Sequence, residues 1–357
     1  MRAESISKEN FDFNRDFYFF QFDHYKDVIP YWLELNQTYK SDELTFDWTA
    51  HKLIWDNFHR PRGYHLRIIV AMEGNKCIGI FPFTRSDSDS FGTTQWSYSD
   101  DLIIAREYFC PPEKIRQNIP FLPPHFSDDL SCFYVPIDQT LFSRGTGGVI
   151  DIKGNQEEYF QSLKKKSRHN LKHSLQINHD IRLEIDNHVH WEAIQDILKT
   201  QLSYWLTKNG SIDRSYYRYS RDKIHCTLML MDRADEMGKL IALYFYLDKK
   251  LVAANFSVRR EHDRVDDYLC LRDCREEQNW RGLGIFAILK NMEISRSLGI
   301  RYYDLSSCIS EYKRKFINMD SCYFYLNYQN NDYLNVDQDL SQIQNKINHP
   351  DSSCSGF

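Results

Sequence analysis

The feature that most constrains this chain is an order of elements that occurs twice. His65 to Met72 is rich in β-formers, Glu73-Gly74-Asn75 reads as a turn, and Lys76 to Phe83 is a second β-rich run. Leu240 to Leu247, the turn Asp248-Lys249-Lys250 and Leu251 to Val258 repeat that hairpin. Helical sequence precedes each hairpin: Tyr25 to Tyr39 and His51 to His59 before the first, Trp191 to Leu206 and Asp222 to Met231 before the second. A further strand follows each, Gln95 to Ile104 and Arg264 to Leu271, both carrying paired aspartates, Asp100-Asp101 and Asp266-Asp267. Helix, helix, hairpin, strand, met twice, predicts two copies of one α/β unit. The length of 357 residues agrees, at roughly 150 residues per domain.

Between the copies, Arg144 to Gly148 is glycine-rich, and Glu157 to Ile177 reads as one connecting helix with Phe160, Leu163, Leu171 and Leu175 near helical spacing. The expected divisions are an N-terminal unit at 1–145, a basic connecting helix at 146–180, a C-terminal unit at 181–329, and a polar, partly disordered tail at 330–357. Lys plus Arg number 45 against 50 Asp plus Glu, a net charge of -5, so a polyanion would have to use a local patch. The densest patch is Lys164, Lys165, Lys166, Arg168, His169, Lys172 and His173. A solvated helix face is one reading; contact with a phosphorylated partner is the other, with Lys165 and Arg168 on neighbouring turns of one face.

Nine cysteines, an odd number without CxxC spacing, indicate neither a disulfide frame nor a structural zinc site. His188 and His190 lack a further ligand at metal spacing and read as a helix start, so no metal is expected. The longest clean apolar run, Leu240 to Leu247, is far below membrane-spanning length, and the expected location is cytoplasmic.

After the Arg264 strand come Asn279-Trp280-Arg281-Gly282-Leu283-Gly284, a helix from Ile285 to Leu298 stopped by Gly299, and a strand from Arg301 to Leu305. A glycine-rich turn between strand and helix is a ready anion site, because free N–H groups and the helix dipole converge there. This stretch, from Lys239 to Phe316, resembles the GNAT acyltransferase superfamily, whose loop reads Gln or Arg, two residues, Gly, one residue, Gly or Ala. Asn279 stands here in the first place of that pattern. The basic segment Leu163 to Leu175, the later Leu298-Gly299-Ile300-Arg301-Tyr302-Tyr303-Asp304-Leu305, and Glu311-Tyr312-Lys313-Arg314-Lys315-Phe316 resemble the Fem-like, cellulose-biosynthesis-type branch. The resemblance covers about residues 20 to 325 and is strongest over 160 to 317.

The resemblance implies an α/β (α+β) fold of two tandem GNAT-like units, each a mixed, mostly antiparallel sheet flanked by helices. It implies an N-acyltransferase that moves an acyl group from an acyl-CoA or acyl-carrier-protein thioester to an amine by direct attack, with no tightly bound cofactor. The donor's pyrophosphate would lie on the loop of Asn279, Arg281, Gly282, Leu283, Gly284 and Ile285. Tyr312 would protonate the leaving thiolate, and Asp267 or Asp273, with Glu277 a third option, would take the amine's proton. Trp96, Tyr98, Asp100 and Asp101 suit an amine-bearing acceptor in a cleft between the units, and Lys313 is expected to pair with Asp304. No cysteine is well placed for an acyl-enzyme intermediate, Cys308 after the last core strand coming nearest. Two alternatives stand beside this one: aminoacyl transfer from charged tRNA to a peptide or peptidoglycan precursor, and a non-catalytic module that keeps the fold.

Overall fold

The computed structural model describes residues 5–6, 17–39, 44, 47–85, 91–93, 103–104, 125–127, 142–146, 148–208, 214–260, 263–275, 282–305, 312–319 and 322–326. They fall into two compact units, one within Met1–Gly145 together with Cys322–Phe357, the other Thr146–Ser321. The strand Cys322–Leu326 falls with the first unit. The expected disordered tail, 330–357, lies outside the described residues.

In the first unit the described strands are β1 (Ser5–Ile6), β2 (Phe17–Phe22), β3 (His65–Glu73), β4 (Lys76–Arg85), β5 (Phe91–Thr93), β6 (Ile103–Ile104) and β7 (His125–Ser127), with helices α1 (Tyr25–Tyr39) and α2 (Trp48–Ile54). The first six form one sheet in the order β1-β2-β3-β4-β5, with β6 also pairing with β4. The hairpin β3–β4 turns at Gly74, whose φ of 58° needs a residue without Cβ strain. The second expected helix starts earlier than His51, because Asp47 caps α2 by accepting from the Thr49 N–H, and it continues beyond Ile54 as a π turn, Trp55–His59. Of the strand expected from Gln95 to Ile104, only Ile103–Ile104 is described. A separate three-stranded sheet runs in the order β7-β15-β8, with β8 Phe142–Thr146 and β15 Cys322–Leu326.

The second unit contains β9 (Val149–Asp151), α3 (Gln156–Ser162), α4 (Lys165–Ile177), β10 (Arg182–Asp186), α5 (Trp191–Lys208), α6 (Arg214–Glu236), β11 (Leu240–Leu247), β12 (Lys250–Arg260), β13 (Arg264–Arg272), α7 (Leu283–Ser297) and β14 (Tyr302–Asp304). Its six-stranded sheet runs β10-β11-β12-β13-β14-β9, antiparallel throughout except for the parallel pair β13–β14. β11 and β12 are joined by Asp248 and Lys249, both at positive φ, the two-residue geometry that matches strand twist. Helices cover both faces of this sheet, so β11, LIALYFYL, is buried along most of its length instead of alternating in and out. Ile241, Leu243, Phe245, Val265 and Tyr303 share one core with Phe160, Leu171, Phe286 and Ile288 of α3, α4 and α7.

One expectation is corrected here. The single connecting helix from Glu157 to Ile177 is two helices, because Leu163 and Lys164 adopt extended ψ values of 155° and 143°. Leu163 turns into the core, and the Arg168 guanidinium donates to the carbonyls of Gln161 and Leu163, which end α3. The start of α3 is fixed by a capping box between Asn155 and Glu158. Among the described residues no helix is long and apolar enough to cross a membrane.

Candidate functional site

The site is built on the one parallel pair in the sheet. β14 pairs with β13 over only three rungs, Arg264–Tyr302, Val265–Tyr303 and Asp266–Asp304, while β13 continues to Arg272. From Asp267 onward this edge of β13 has no strand partner among the described residues. The last rung is pinned by charge. Arg264 is buried, donates from Nε to Asp266 at 3.0 Å, and also binds Asp304. A buried arginine shared between two carboxylates, one on each strand, holds β13 and β14 together up to the point where they part. Lys313 therefore does not pair with Asp304 as expected: that carboxylate is taken by Arg264, and the Lys313 ammonium donates to the Leu305 carbonyl.

Asp267 is the first residue past the last rung. It is 9% exposed, and its Oδ1 accepts from Asn255 Nδ2 at 2.7 Å and from Tyr303 OH at 2.8 Å, whereas Oδ2 makes no hydrogen bond among the described residues. Burial pushes the Asp267 carboxyl above its ordinary range, opposed by the Asn255 and Tyr303 donors and the nearby Lys313 ammonium, and assisted by Asp304. Tyr303 is held well above its ordinary value by burial and by the Asp267 charge, and the Tyr312 hydroxyl is close enough to act on it. Tyr312 itself is 43% exposed. Asp267, Tyr303, Tyr312 and Lys313 thus gather where the strands part.

A bulge in the β12–β13 pairing leaves Tyr268 without an opposite residue, since Ser257 faces Asp267 and Phe256 faces Leu269. The alternation slips by one there, which lets Cys270 and Arg272, as well as Asp267, project toward α7. The Cys270 thiol is pushed up to about 12 by burial and the Asp267 charge, so it is not a nucleophile at neutral pH. Cys308 lies outside the described residues.

At the far end of this edge, where the Arg272 N–H donates to Gln201 Oε1 of α5 at 2.7 Å, stands the N-terminus of α7. Gly282 caps it in the left-handed conformation, φ 61° and ψ 40°, and its carbonyl receives the N–H groups of Ile285 and Phe286 at 2.9 and 3.1 Å. The N–H groups of Leu283 and Gly284 make no hydrogen bond among the described residues. A Cβ on Gly284 would lie 3.8 Å from Arg272 Cδ and 4.0 Å from Cys270 Sγ; one on Gly282 would lie 3.8 Å from Ser174 Oγ. Ser174 Oγ is buried without a hydrogen-bond partner. Asn279, Arg281 and Glu277 lie outside the described residues, but Arg272 provides a cation beside Gly284 that the sequence reading missed. The signal was faint: the strand was read as ending at Leu271, one residue short.

The other expected residues are distributed as follows. Asp273 is buried and bound by the Arg275 backbone N–H at 3.1 Å and guanidinium at 2.8 Å, with Lys250 at 3.6 Å. Burial opposes its ionisation, but the Arg275 hydrogen bonds and the Arg275 and Lys250 charges prevail and hold its carboxyl below the ordinary range. An acid so committed is a poor proton acceptor, which favours Asp267. On α4, Lys165 is exposed, and Arg168 serves the α3 terminus. Trp96, Tyr98, Asp100 and Asp101 lie outside the described residues. His188 and His190, at the start of α5, bond to Asp235 and Asp186 respectively. No cluster of His, Cys, Asp and Glu among the described residues is arranged to hold a metal ion.

No family model matches the sequence, and no curated protein matches it. Solved structures do. A tandem GNAT protein from the clavulanic acid biosynthesis pathway is 11% identical over 86% of this chain and 97% of its own, with a TM-score of 0.44. FemX is 10% identical over 77% of this chain and 91% of its own, TM-score 0.41. A conserved protein of unknown function from Bacteroides thetaiotaomicron is 12% identical over 85% and 98%, TM-score 0.41. These are likenesses of architecture, and the chemistry has to be read from this chain's own residues. The order of elements in the second unit, hairpin, strand, glycine turn, helix and further strand, is the one the GNAT resemblance implies; here the further strand runs parallel to its neighbour.

Proposed function

We propose that the second unit transfers an acyl group from an acyl thioester to an amine by direct attack. The observation that carries this reading is the parting of β13 from β14 immediately before Asp267, with the N-terminus of α7 at the other end of the same edge. A thioester lying along that edge would meet the backbone groups of β13, which suit the developing oxyanion. Its phosphates would meet the free N–H groups of Leu283 and Gly284, with Arg272 and Ser174 beside them.

The acceptor nitrogen attacks the thioester carbon, its proton passes to Asp267 Oδ2 directly or through water, and the C–S bond breaks as the tetrahedral intermediate collapses. Tyr312 protonates the departing thiolate and regains a proton from solvent, to which Asp267 releases the one it took from the amine. Asp267 fits its role because a raised carboxyl pKa strengthens it as a base. Lys164, Lys165 and Lys166, exposed at the start of α4 without carboxylate partners among the described residues, favour a second reading in which the donor is carried by tRNA.

The test is thermal-shift and calorimetric titration of the full chain with CoA, acetyl-CoA, longer acyl-CoAs and bulk tRNA at moderate salt, followed by transfer assays with a panel of amines. Stabilisation by CoA species together with amide formation supports the thioester reading. Silence with CoA but salt-sensitive binding of tRNA moves the donor to RNA. Binding of neither refutes both.

A further inference from the structure

Behind Asp267, between the sheet and α7, runs a chain of buried polar side chains that the acyl-transfer chemistry does not itself require. Ser295 Oγ donates to Asn291 Oδ1 at 3.2 Å; Asn291 Nδ2 donates to Ser257 Oγ at 2.8 Å and to Asn255 Oδ1; Asn255 Nδ2 donates to Asp267 Oδ1 at 2.7 Å. Asn255, Ser257, Asn291 and Ser295 are fully buried. On α7 they interrupt a face otherwise made of Leu283, Phe286, Ala287, Ile288 and Met292. Buried amides are costly unless satisfied, so a core of this kind is better served by apolar residues unless the polarity has a use.

We propose that Asn291 is a positioning residue for Asp267: it locks the Asn255 amide with its nitrogen, rather than its oxygen, toward the carboxylate. An asparagine side chain offers a donor at one end and an acceptor at the other, and a half-turn about its last torsion exchanges them. With the Asn291 NH2 group against one end, Asn255 has to present its oxygen there and its NH2 to Asp267. Without Asn291 that constraint is gone. An Asn255 oxygen turned toward Asp267 is compatible only with the protonated acid, so loss of Asn291 favours protonation and leaves less of the carboxylate ionised, and able to act as base, at acid pH.

The other groups facing Asp267 do not supply this control. Tyr303 and Asp304 come from β14, the latter bound to Arg264; Lys313 comes from the turn after β14, and Cys270 from Asp267's own strand. β12 and α7 contribute the neutral chain of Asn255, Ser257, Asn291 and Ser295. Because α7 also begins at the candidate phosphate site, one rigid helix serves the donor at its first turn and the base near its middle. Asp267's role as base rests on the proposed acyl transfer; the effect of Asn291 on its ionisation does not.

The experiment uses the full chain with Asn291→Leu, and Ser295→Ala as the control that removes the distal donor only. The Asp267 carboxyl is titrated by carbon-13 NMR, and kcat/KM is followed against pH. Asn291→Leu should move the Asp267 midpoint upward by about one pH unit, and the acid limb of kcat/KM with it, leaving the alkaline plateau and donor KM unchanged. Ser295→Ala should leave both in place. An unshifted Asp267 midpoint in folded Asn291→Leu overturns the proposal. Should that variant not fold, the wild-type Asn255 side-chain amide provides the test: its nitrogen-15 shift should follow the Asp267 titration, and a flat response overturns the proposal. A shifted midpoint in a protein that acylates no amine would sustain the role of Asn291 and refute the proposed function.

Discussion

Substituting alanine separately at Gly282 and Gly284 distinguishes a glycine kept for its backbone from one kept for the space beside it. Gly282 sits at φ 61°, and its Cβ would be 3.8 Å from Ser174 Oγ, an ordinary contact. Any cost of Gly282→Ala is therefore conformational, about 1–2 kcal/mol for an L-residue held in the left-handed region. Gly284 is in the first turn of α7, and its Cβ would meet Arg272 and Cys270 at 3.8 and 4.0 Å, again without a clash. Gly284→Ala should then be neutral or stabilising by up to about 1 kcal/mol, from helix propensity. Urea unfolding of the full chain, followed by circular dichroism, should separate the two variants by about 2 kcal/mol. Calorimetry with acetyl-CoA adds a second readout. Gly282→Ala should weaken the donor by about tenfold, because relaxing φ swings the Leu283 and Gly284 N–H groups off target. Gly284→Ala should bind normally, and Gly284→Trp should fold without binding. A Gly282→Ala protein as stable as Gly284→Ala would refute the reasoning about the cap. Normal donor affinity in Gly284→Trp would move the phosphate site elsewhere.

Three further outcomes follow from the same geometry. Asp267→Asn should lower kcat by about 10²–10⁴-fold with donor affinity unchanged in calorimetry. Because the folded carboxyl titrates above its unfolded value, its contribution to stability is present at low pH and lost as pH rises through the folded pKa, so the asparagine variant should be the more stable protein at pH 8. Tyr312→Phe should reduce turnover and leave donor binding intact, and the loss should shrink with thioesters whose thiol is more acidic and needs no proton to leave. His59, in the first unit, is buried and its pKa is lowered to about 4 by desolvation and then by Arg62. Its contribution to stability is complete above pH 6.5 and falls by up to about 3 kcal/mol between pH 6.5 and 4, as the unfolded chain takes up the proton. His59→Phe should flatten that acid limb in thermal melts from pH 7 to 4.

Local pattern determined much of the architecture. The hairpins were legible because β-rich runs flank turn residues, and the helices before the second hairpin because apolar residues recur at helical spacing. The glycine turn before α7 could be placed because a glycine beyond a strand and ahead of an apolar periodic run has few other uses. Asp267 and Tyr312 were singled out by the GNAT resemblance rather than by local pattern, and both lie close enough to Tyr303 to act on its hydroxyl.

Long-range contacts decided the rest. Nothing local separates Asp267 from Asp273; the difference is that Arg275 and Lys250 reach one carboxylate and Asn255 and Tyr303 the other. Asp304 meets Arg264 rather than Lys313 because the parallel pairing lays the two strands rung to rung, a relation 40 residues apart in the chain. The break between α3 and α4 is invisible to helical periodicity, since Leu163 keeps its apolar place in the pattern while leaving the helix to enter the core. Propensity and spacing act over a turn or a strand, so the sequence by itself determined the elements and their order. Which acid is held by cations and which by neutral donors depends on partners delivered from other strands and helices, and only the tertiary structure decided that.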